Sequence, residues 1–380
     1  MKVLITGGAG FIGSNTTRAL TALGHEVTVL DNLAPQIHGP VPEVTSPLFR
    51  SIMNTTRIIR GDICDESDLL EGLKGQDAII HLAAETGTGQ SMYEIKRYAD
   101  VNVGGTALML NLLANRPHNI QKVVVASSRA VYGEGKYRSA ALGIQYPDAR
   151  KEADLQAGRF EPRCPKTGEN LTALPTDEES KIHPTSVYGI TKHTQEQMVL
   201  TVCGSLGVPA VALRYQNVYG PGQSLRNPYT GILSIFSTQM LNGNPLNIFE
   251  DGEESRDFVY IDDVVRATVA ALLGVGSDKQ AIGIGSGVPT SVIEVAKALA
   301  VNYASEVPIR VTGAYRLGDI RHNYADTKKA LALLGFEAKV QFKEGIAQFS
   351  AWVREQDLPP DAFDKSIREM KARGLFKSRC

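Results

Sequence analysis

The first half of the chain alternates short apolar runs with longer amphipathic stretches. This rhythm is typical of a parallel sheet whose strands are buried on both faces and joined by helices. It predicts strands over residues 2–6, 26–30, 57–61, 78–82, 122–127 and 210–215. It predicts helices over residues 11–23, 66–73, 92–115 and 184–205. The expected fold class is therefore α/β, with a doubly wound parallel sheet.

Two stretches interrupt this rhythm. Residues 34–56 are rich in Pro, Ser and Thr, which predicts a long surface loop after the second strand. Residues 134–182 show no clear period and are interpreted as an insertion between a strand and the next helix. Loops of this length in compact proteins are usually functional or disordered.

The pattern after residue 215 is mixed, with strands predicted over residues 246–249 and 308–311 and helices over residues 262–273 and 291–301. We therefore divide the chain into a sheet domain over 1–215, a smaller α/β lobe over mainly 216–360 and a tail helix over 361–380. The lobe is expected to close over the ligand-binding edge of the sheet. The basic tail is interpreted as a solvated terminal helix rather than a surface for a partner.

Composition and charge narrow the class of protein. The 380 residues are 43% hydrophobic and 21% charged, which is ordinary for a globular protein. The formal net charge of -1 gives no reason to expect nucleic acid or an anionic membrane as a partner. Neither a membrane span nor a signal peptide is expected. The four cysteines form no Cys-x-x-Cys pair, so a cytoplasmic location is favoured.

A glycine-rich turn follows the first predicted strand and leads into a helix. Its sequence is Thr-Gly-Gly-Ala-Gly-Phe-Ile-Gly, ending at Gly13. Gly7 and Gly8 allow a tight turn, Gly10 lets the backbone approach a pyrophosphate, and Gly13 permits close packing of helix on strand. The start of the helix then offers free N–H groups to the phosphates. The segment predicts a dinucleotide site.

Asp31 lies at the predicted end of the second strand. A carboxylate there accepts hydrogen bonds from both ribose hydroxyls and repels a 2′-phosphate, so NAD is favoured over NADP. Asp62 follows the third strand and either reaches an adenine edge or caps the next helix. His81 is interpreted as a packed, hydrogen-bonded histidine. The expected cofactor-binding residues are Gly7, Gly10, Phe11, Ile12, Gly13, Asp31, Asn32, Asp62, Ile63, Leu82, Ala83, Ala84, Asn102, Tyr188 and Lys192.

Tyr188 and Lys192 are four residues apart, which places them one turn apart on the same helix face. A free tyrosine has a pKa of about 10 and is a poor base at neutral pH. The lysine charge favours the tyrosinate and brings that pKa toward the working range. Ser128 lies at the carboxyl end of a predicted strand, where its hydroxyl can share the substrate oxygen. The predicted catalytic residues are Ser128, Tyr188 and Lys192.

Taken together, the motifs resemble the extended short-chain dehydrogenases/reductases, a Rossmann-fold family of nucleotide-sugar epimerases and dehydratases. The resemblance covers about residues 1–336. The matching segments are the glycine turn, Asp31-Asn-Leu, His81-Leu-Ala-Ala, Asn102-Val-Gly-Gly-Thr, Ser127-Ser-Arg-Ala-Val-Tyr-Gly, Tyr188-x-x-x-Lys, Leu213-Arg-Tyr-Gln-Asn-Val-Tyr-Gly-Pro, Arg256-Asp-Phe-Val-Tyr-Ile-Asp-Asp and Gly318-Asp-Ile-Arg.

The resemblance implies NAD as cofactor, a nucleoside-diphosphate sugar as substrate and a homodimer. It also implies that Asn217, Arg256 and Arg321 bind the diphosphate, which suits amide and guanidinium groups. The expected substrate-binding residues are Thr86, Ser128, Arg129, Asn217, Arg256 and Arg321. Thr88 and Ser91 are further candidates for the sugar pocket, although Ser91 equally suits a helix cap.

The same resemblance separates the possible reactions. The 4,6-dehydratases of the family carry Thr-Asp-Glu-Val-Tyr where this chain has Ser128-Arg-Ala-Val-Tyr. Both acids are missing, so dehydration lacks its general acid and base. Epimerisation at carbon 4 through a transient ketone needs neither acid. We therefore expect an NAD-dependent 4-epimerase.

Three segments resemble a subgroup of the family that acts on dTDP-L-rhamnose: Glu85-Thr-Gly-Thr-Gly-Gln-Ser-Met-Tyr, Ser128-Arg-Ala-Val-Tyr-Gly-Glu-Gly and the long insertion, which ends in Pro175-Thr-Asp-Glu. That subgroup often carries Cys-Pro-x-Cys-Gly, whereas this chain has Cys164-Pro-Lys-Thr-Gly. One thiol cannot build a zinc site, which takes about four ligands, so no metal is expected. A UDP-sugar 4-epimerase and a UDP-uronate decarboxylase remain alternatives. A non-enzymatic alternative is an NAD-sensing regulatory protein on the same fold.

Overall fold

The computed structural model describes residues 1–227, 229, 231–358 and 363–378. No helix among these residues has the length and apolar character that a bilayer crossing requires. The strands are β1 (Lys2–Thr6), β2 (Glu26–Asp31), β3 (Arg57–Arg60), β4 (Ala78–His81), β5 (Lys122–Ser128), β6 (Tyr137–Ser139), β7 (Gly143–Gln145), β8 (Thr172–Ala173), β9 (Ala210–Tyr215), β10 (Asn217–Tyr219), β11 (Leu246–Ile248), β12 (Ser255–Tyr260), β13 (Gln280–Ile284), β14 (Pro289–Ser291), β15 (Ile309–Val311), β16 (Tyr315–Arg316), β17 (His322–Asn323) and β18 (Phe376–Lys377).

A π-helical stretch lies over Ala99–Gly105 and a 3-10 turn over Arg129–Tyr132, and the other helices of the described residues are α-helices. They are α1 (Phe11–Ala22), α2 (Pro35–His38), α3 (Pro42–Thr45), α4 (Pro47–Arg50), α5 (Glu66–Leu73), α6 (Thr88–Ser91), α7 (Ile95–Tyr98), α8 (Thr106–Asn115), α9 (Glu152–Gln156), α10 (Val187–Ser205), α11 (Ile232–Leu241), α12 (Ile261–Leu273), α13 (Val292–Tyr303), α14 (Lys328–Leu334), α15 (Phe342–Arg354) and α16 (Phe363–Ala372).

The core of the molecule is a sheet of seven described strands in the order β13-β9-β5-β4-β1-β2-β3. All of its strand pairs are parallel, and its central strands are buried because they are continuous runs of apolar residues. The predicted doubly wound fold is therefore confirmed. The edge strand β13 comes from residues 280–284, so the chain returns to this sheet after forming β10, β11 and β12 outside it.

The register gathers the carboxyl ends of the strands at one edge of the sheet. Thr6 at the end of β1 pairs with Leu30 on β2 and with His81 on β4. Ser128 at the end of β5 pairs with Tyr215 at the end of β9. This edge is where ligands bind in open parallel sheets.

The helix predicted over residues 92–115 is not continuous in the structure. It consists of α7, the π-helical stretch and α8. Asn102 lies in the π-helical stretch and is fully buried, and its amide oxygen accepts a hydrogen bond from the Glu85 backbone N–H at 2.7 Å. Short π-helical stretches often occur next to functional sites.

The two irregular regions contain more structure than the sequence pattern indicates. Residues 34–56 form the short helices α2, α3 and α4, each of which begins with a proline. Residues 134–182 contain the small antiparallel sheet β7-β6-β8 together with α9. A second apolar core joins α11, α13 and α15 to β11 and β12 in the C-terminal half.

The tail differs from its prediction as a solvated helix. Within its described part, α16 buries Met370, and β18 buries Phe376 and pairs antiparallel with β16. The apolar residues interspersed among the lysines and arginines of the tail pack against the protein, which explains the difference. Residues 361, 362, 379 and 380 of the predicted tail lie outside the described residues.

Candidate active site

Two cavities adjoin at the carboxyl edge of the sheet. The first, the cofactor cleft, is lined among other residues by Gly7, Gly10, Phe11, Ile12, Gly13, Asp31, Asn32, Ile63, Leu82, Ala83, Ala84, Tyr188 and Lys192. The second, the arginine pocket, is lined among other residues by Thr88, Arg129, Asn217, Phe249, Arg256, Arg316 and Phe363. Thr86, Ser128 and Tyr188 line both cavities.

The glycine turn forms the floor of the cofactor cleft. Gly7 has φ +68°, and a Cβ atom on it would lie 2.7 Å from the Ala83 backbone nitrogen. A Cβ atom on Gly13 would collide with the Gly7 carbonyl oxygen. Helix α1 starts with no side-chain cap and no acidic residue in its first turn. This leaves backbone N–H groups and the positive end of the helix dipole for a pyrophosphate, so the residues present fit a dinucleotide.

Asp31 links the glycine turn to the end of β2. Its carboxylate oxygens accept hydrogen bonds from the backbone N–H groups of Ala9 at 3.0 Å and Leu33 at 2.9 Å. The carboxylate therefore has a fixed position in the cleft wall, as a ribose-binding group requires. The loop after β2 folds over the same region, and Gln36, Ile37, His38 and Leu48 from it line the cleft. Nothing in the local sequence pattern indicated these four residues.

Two predicted cofactor-binding residues lie outside the cleft lining. Asp62 accepts hydrogen bonds from Asn32 Nδ2 at 3.3 Å and from the Cys64 backbone N–H at 2.8 Å. It does not cap α5 either, because Asp65 does so. Asn102 lies behind the cleft, where its amide donates to the Glu85 carbonyl oxygen at 3.1 Å and holds that part of the wall in place.

Helix α10 positions the Tyr and Lys of the predicted catalytic group. The Ser186 hydroxyl caps this helix by accepting from the Gly189 N–H. Burial raises the pKa of Tyr188, whereas a hydrogen bond with Ser128 and the charge of Arg129 act in the opposite direction. Ser128 and Arg129 thus favour the phenolate, which is the form that accepts a proton.

Lys192 lies one turn beyond Tyr188 on α10, and its expected effect on the tyrosine pKa stays a prediction. Its amine donates to Gln195 Oε1 at 2.9 Å, and Arg129 is a cation whose charge favours the Tyr188 phenolate. Burial lowers the pKa of Lys192 to about 7, against the opposing charge of Glu196. The Lys192 side chain nevertheless lines the cofactor cleft, where it can reach a bound dinucleotide.

His81 has the structural role that the sequence indicates. Its ring nitrogens contact the hydroxyl oxygens of Thr6 at 2.7 Å and Thr106 at 2.9 Å. Burial lowers its pKa to about 3, so the ring is neutral under ordinary conditions. Ser91 is likewise structural, because its hydroxyl donates to the Thr88 carbonyl oxygen at 2.7 Å and is buried.

The arginine pocket is electropositive. Arg256 and Arg316 contact opposite oxygens of the Asp319 carboxylate at 3.1 and 2.8 Å, and Arg129 Nε donates to Asn217 Oδ1 at 2.9 Å. Burial opposes ionisation of Asp319, yet the guanidinium groups of Arg316 and Arg256 hold its pKa well below its usual range. Glu254 also lines the pocket, but burial raises its pKa to about 8. Three guanidinium groups therefore face one ionised carboxylate, which suits a polyanionic ligand.

Arg321 is not in this pocket, contrary to its expected role at the diphosphate. It is 1% exposed, and its guanidinium donates to Glu161 at 2.8 Å, Asp251 at 2.7 Å and Glu250 at 3.1 Å. Its donors are thus directed toward carboxylates beneath the pocket, which leaves them unavailable to a ligand. Its backbone carbonyl accepts from Arg256 and so helps to hold that residue.

Arg316 lines the pocket in which Arg321 was expected. It lies two residues before the Gly318-Asp-Ile-Arg segment, and its guanidinium contacts Asp319 of that segment. The charged residues around that segment were a usable signal, but the motif alone could not show which arginine faces the ligand. Phe249 and Phe363 also line the pocket and were not predicted.

A Rossmann sheet with a dinucleotide cleft, next to a Tyr-x-x-x-Lys helix and a serine, defines the class of short-chain dehydrogenase/reductase proteins. The family model described as the NAD dependent epimerase/dehydratase family matches residues 3–163 and 164–285. The dTDP-L-rhamnose 4-epimerase of Burkholderia thailandensis is 38% identical over 358 residues, which covers 93% of this chain and 95% of that relative. The chain belongs to the NAD-dependent epimerase/dehydratase family, whose cofactor is NAD.

Solved structures agree with this assignment. The UDP-glucose 4-epimerase of Thermotoga maritima, solved with UDP-glucose, is 30% identical with a TM-score of 0.74. The UDP-glucuronic acid 4-epimerase of Bacillus cereus, solved with UDP-glucuronic acid and NAD, is 26% identical with a TM-score of 0.75. Each comparison covers 93% of this chain and 99% of the other.

Proposed function

We propose that this protein epimerises carbon 4 of a nucleoside-diphosphate sugar through a transient 4-keto intermediate. The observation that carries the proposal is the position of Ser128 and Tyr188 on the boundary shared by the cofactor cleft and the arginine pocket. A sugar carbon held at this boundary lies between a dinucleotide and a base. The arginine pocket then receives the diphosphate.

The chain supplies the proton transfers of this reaction. Ionised Tyr188 accepts the proton of the 4-hydroxyl, and Ser128 hydrogen-bonds the same oxygen as its charge develops. Hydride acceptance at carbon 4, and its return to the opposite face, is the chemistry that bound NAD supplies. Tyr188 then returns the proton to the inverted alcohol. Gly7, Gly13, Asp31 and Lys192 would hold the cofactor, since all four line the cleft.

The pocket favours epimerisation over dehydration. Where the dehydratases have an acidic pair, this chain places Arg129 and Ala130, and both residues line the arginine pocket. Dehydration needs one group that protonates the leaving hydroxyl and another that removes a proton from the neighbouring carbon. Neither of these two side chains can take either role. A keto-sugar formed here is therefore expected to be reduced rather than to lose water.

We propose dTDP-L-rhamnose as the first substrate to test. Its support is the dTDP-L-rhamnose 4-epimerase that shares 38% of its sequence with this chain over nearly the full length of both proteins. UDP-sugars are the alternative, supported by the solved 4-epimerases that bind UDP-glucose and UDP-glucuronic acid. A homodimer is part of the proposal through the family resemblance, and light scattering of the purified protein tests it.

The experiment incubates NAD-loaded protein with dTDP-L-rhamnose, UDP-glucose and UDP-glucuronic acid, each deuterated at carbon 4. Proton NMR should show the carbon 4 epimer of one sugar with the deuterium retained, because the hydride returns to the carbon it left. Release of carbon dioxide from UDP-glucuronic acid would instead identify a decarboxylase. NAD binding without conversion of any sugar would favour the regulatory alternative.

A further inference from the structure

The described C-terminal tail, residues 363–378, folds back onto the wall of the arginine pocket. Strand β18 pairs with β16, which places Phe376 opposite Arg316. The Leu317 N–H donates to the Leu375 carbonyl oxygen at 3.0 Å and extends this pairing. Met370 and Phe376 are buried in a small apolar cluster with Ala314. The tail is therefore attached to the segment that carries the phosphate-facing Arg316.

Helix α16 also contacts two other parts of the molecule, one of which, at Tyr229, lines the pocket. The Glu369 carboxylate accepts hydrogen bonds from the hydroxyl groups of Tyr93 at 3.0 Å and Tyr229 at 2.9 Å. The Arg373 guanidinium lies 4.2 Å from the centre of the Tyr93 ring. Tyr93 follows β4 in the sheet half, whereas Tyr229 precedes α11 in the C-terminal half. Glu369 thus fixes the helix against both halves of the molecule.

These attachments place one aromatic side chain of the tail in the pocket. Phe363, the first residue of α16, lines the pocket, and its ring lies 6.2 Å from the ring of Phe249 at an interplanar angle of 23°. The Arg316 guanidinium lies 5.3 Å from the centre of the Phe249 ring. An aromatic surface therefore directly adjoins a phosphate-binding cation.

The order of groups along the pocket matches the order of groups in a nucleoside-diphosphate sugar. Ser128 and Tyr188 face the sugar, Arg256 and Arg316 face the diphosphate, and the aromatic pair lies beside Arg316. We propose that Phe363 of the C-terminal tail forms, with Phe249, the surface on which the nucleobase of the substrate packs. The inference rests on the proposed function and adds that the tail is a specificity-determining part of the site.

Binding of dTDP and of inorganic pyrophosphate to the NAD-loaded protein, measured by titration calorimetry, tests this inference. Stacking on an aromatic side chain stabilises a bound base, so F363A should weaken dTDP binding about 5- to 10-fold. F363L keeps most of the side-chain volume and should weaken it by a similar factor. Pyrophosphate has no base, so its affinity should be unchanged in both variants. R368A is the matched control, because Arg368 is exposed on the same helix.

Unchanged dTDP affinity in folded F363A and F363L would overturn the inference. Equal weakening of dTDP and pyrophosphate would also overturn it, since that result indicates a structural role for the tail. If F363A fails to fold, F363L and E369A provide the same comparison, because E369A removes the acceptor of both tyrosine hydroxyls. These measurements need no turnover. A protein that binds dTDP through Phe363 but epimerises no sugar would therefore contradict the proposed function alone.

Discussion

The cofactor cleft and the arginine pocket offer different kinds of anion-binding group. In the cleft, the free groups are backbone N–H groups at the start of α1, which the glycines of one short turn leave open to a phosphate. In the pocket, Arg129, Arg256 and Arg316 come from three separate segments and face the Asp319 carboxylate. The cleft is a local structure, whereas the pocket exists only after distant parts of the chain have packed together.

This difference determines how each cavity tolerates change. Backbone donors cannot be removed by substituting a side chain, and the glycine turn fails mainly when a Cβ atom blocks it. Each arginine of the pocket depends instead on its own partners, as Arg256 does on the carbonyl oxygens of Ile320 and Arg321. Substrate specificity can therefore change in the pocket while the cofactor cleft stays the same.

The largest effect is expected where the two cavities meet. Y188F removes the hydroxyl that we propose exchanges the proton, and general acid–base catalysis contributes about 10²- to 10⁴-fold to a rate. We expect kcat to fall by that factor while the NAD content of the purified protein stays unchanged. Steady-state kinetics and cofactor extraction measure the two quantities. Y324F is the matched control, and loss of NAD in Y188F would show that the tyrosine holds the cofactor instead.

A smaller effect is expected in the arginine pocket alone. Hydrogen bonds to charged groups are worth about 1.5–3 kcal/mol, so R316A should raise KM for the nucleotide sugar about 10- to 100-fold. NAD affinity should not change, because Arg316 does not line the cofactor cleft. The exposed Arg310 provides the control variant R310A. A wild-type KM in R316A would show that Arg316 does not bind the diphosphate.

A change in pH dependence is expected at the boundary. The charge of Arg129 acts to lower the pKa of Tyr188. Without that charge the pKa of Tyr188 rises, so the base is ionised only at higher pH and the acidic limb of the kcat profile of R129M moves to higher pH. R129K keeps the charge and should stay close to the wild type. Profiles of kcat against pH at saturating NAD and sugar test this prediction. An acidic limb that lies at the same pH in R129M and in the wild type would contradict it.

The sequence predicted the parts of the site that are local in the chain. The glycine turn, Asp31 and the Tyr188 to Lys192 spacing each lie within one strand–turn–helix unit or one helix, so their geometry follows from backbone rules. All six strands predicted for the core sheet are present within one residue of their expected bounds. The seventh, β13, was missed because the pattern there is mixed.

The parts that depend on tertiary packing could not be predicted in the same way. Phe363 is more than 100 residues from Phe249 in sequence, and tertiary contacts such as the β16–β18 pairing bring its helix to the pocket. The short helices of residues 34–56 have no amphipathic period long enough to recognise. A motif can place an arginine near a site, but which way the guanidinium points depends on the carboxylates packed around it.

Arg321 provides the test with the smallest expected effect on catalysis. Its buried guanidinium neutralises Glu161, Glu250 and Asp251, and removing one member of a buried ion pair typically costs about 3–5 kcal/mol. Because Glu161 and Asp251 are partly exposed and Glu250 keeps its pair with Arg150, R321M should lower the free energy of unfolding by less than that amount in denaturant titrations. KM of the folded variant should change far less than in R316A. Arg321 affects the pocket through its backbone carbonyl, which accepts a hydrogen bond from Arg256. A stable R321M with a KM as high as that of R316A would show that Arg321 does bind the diphosphate.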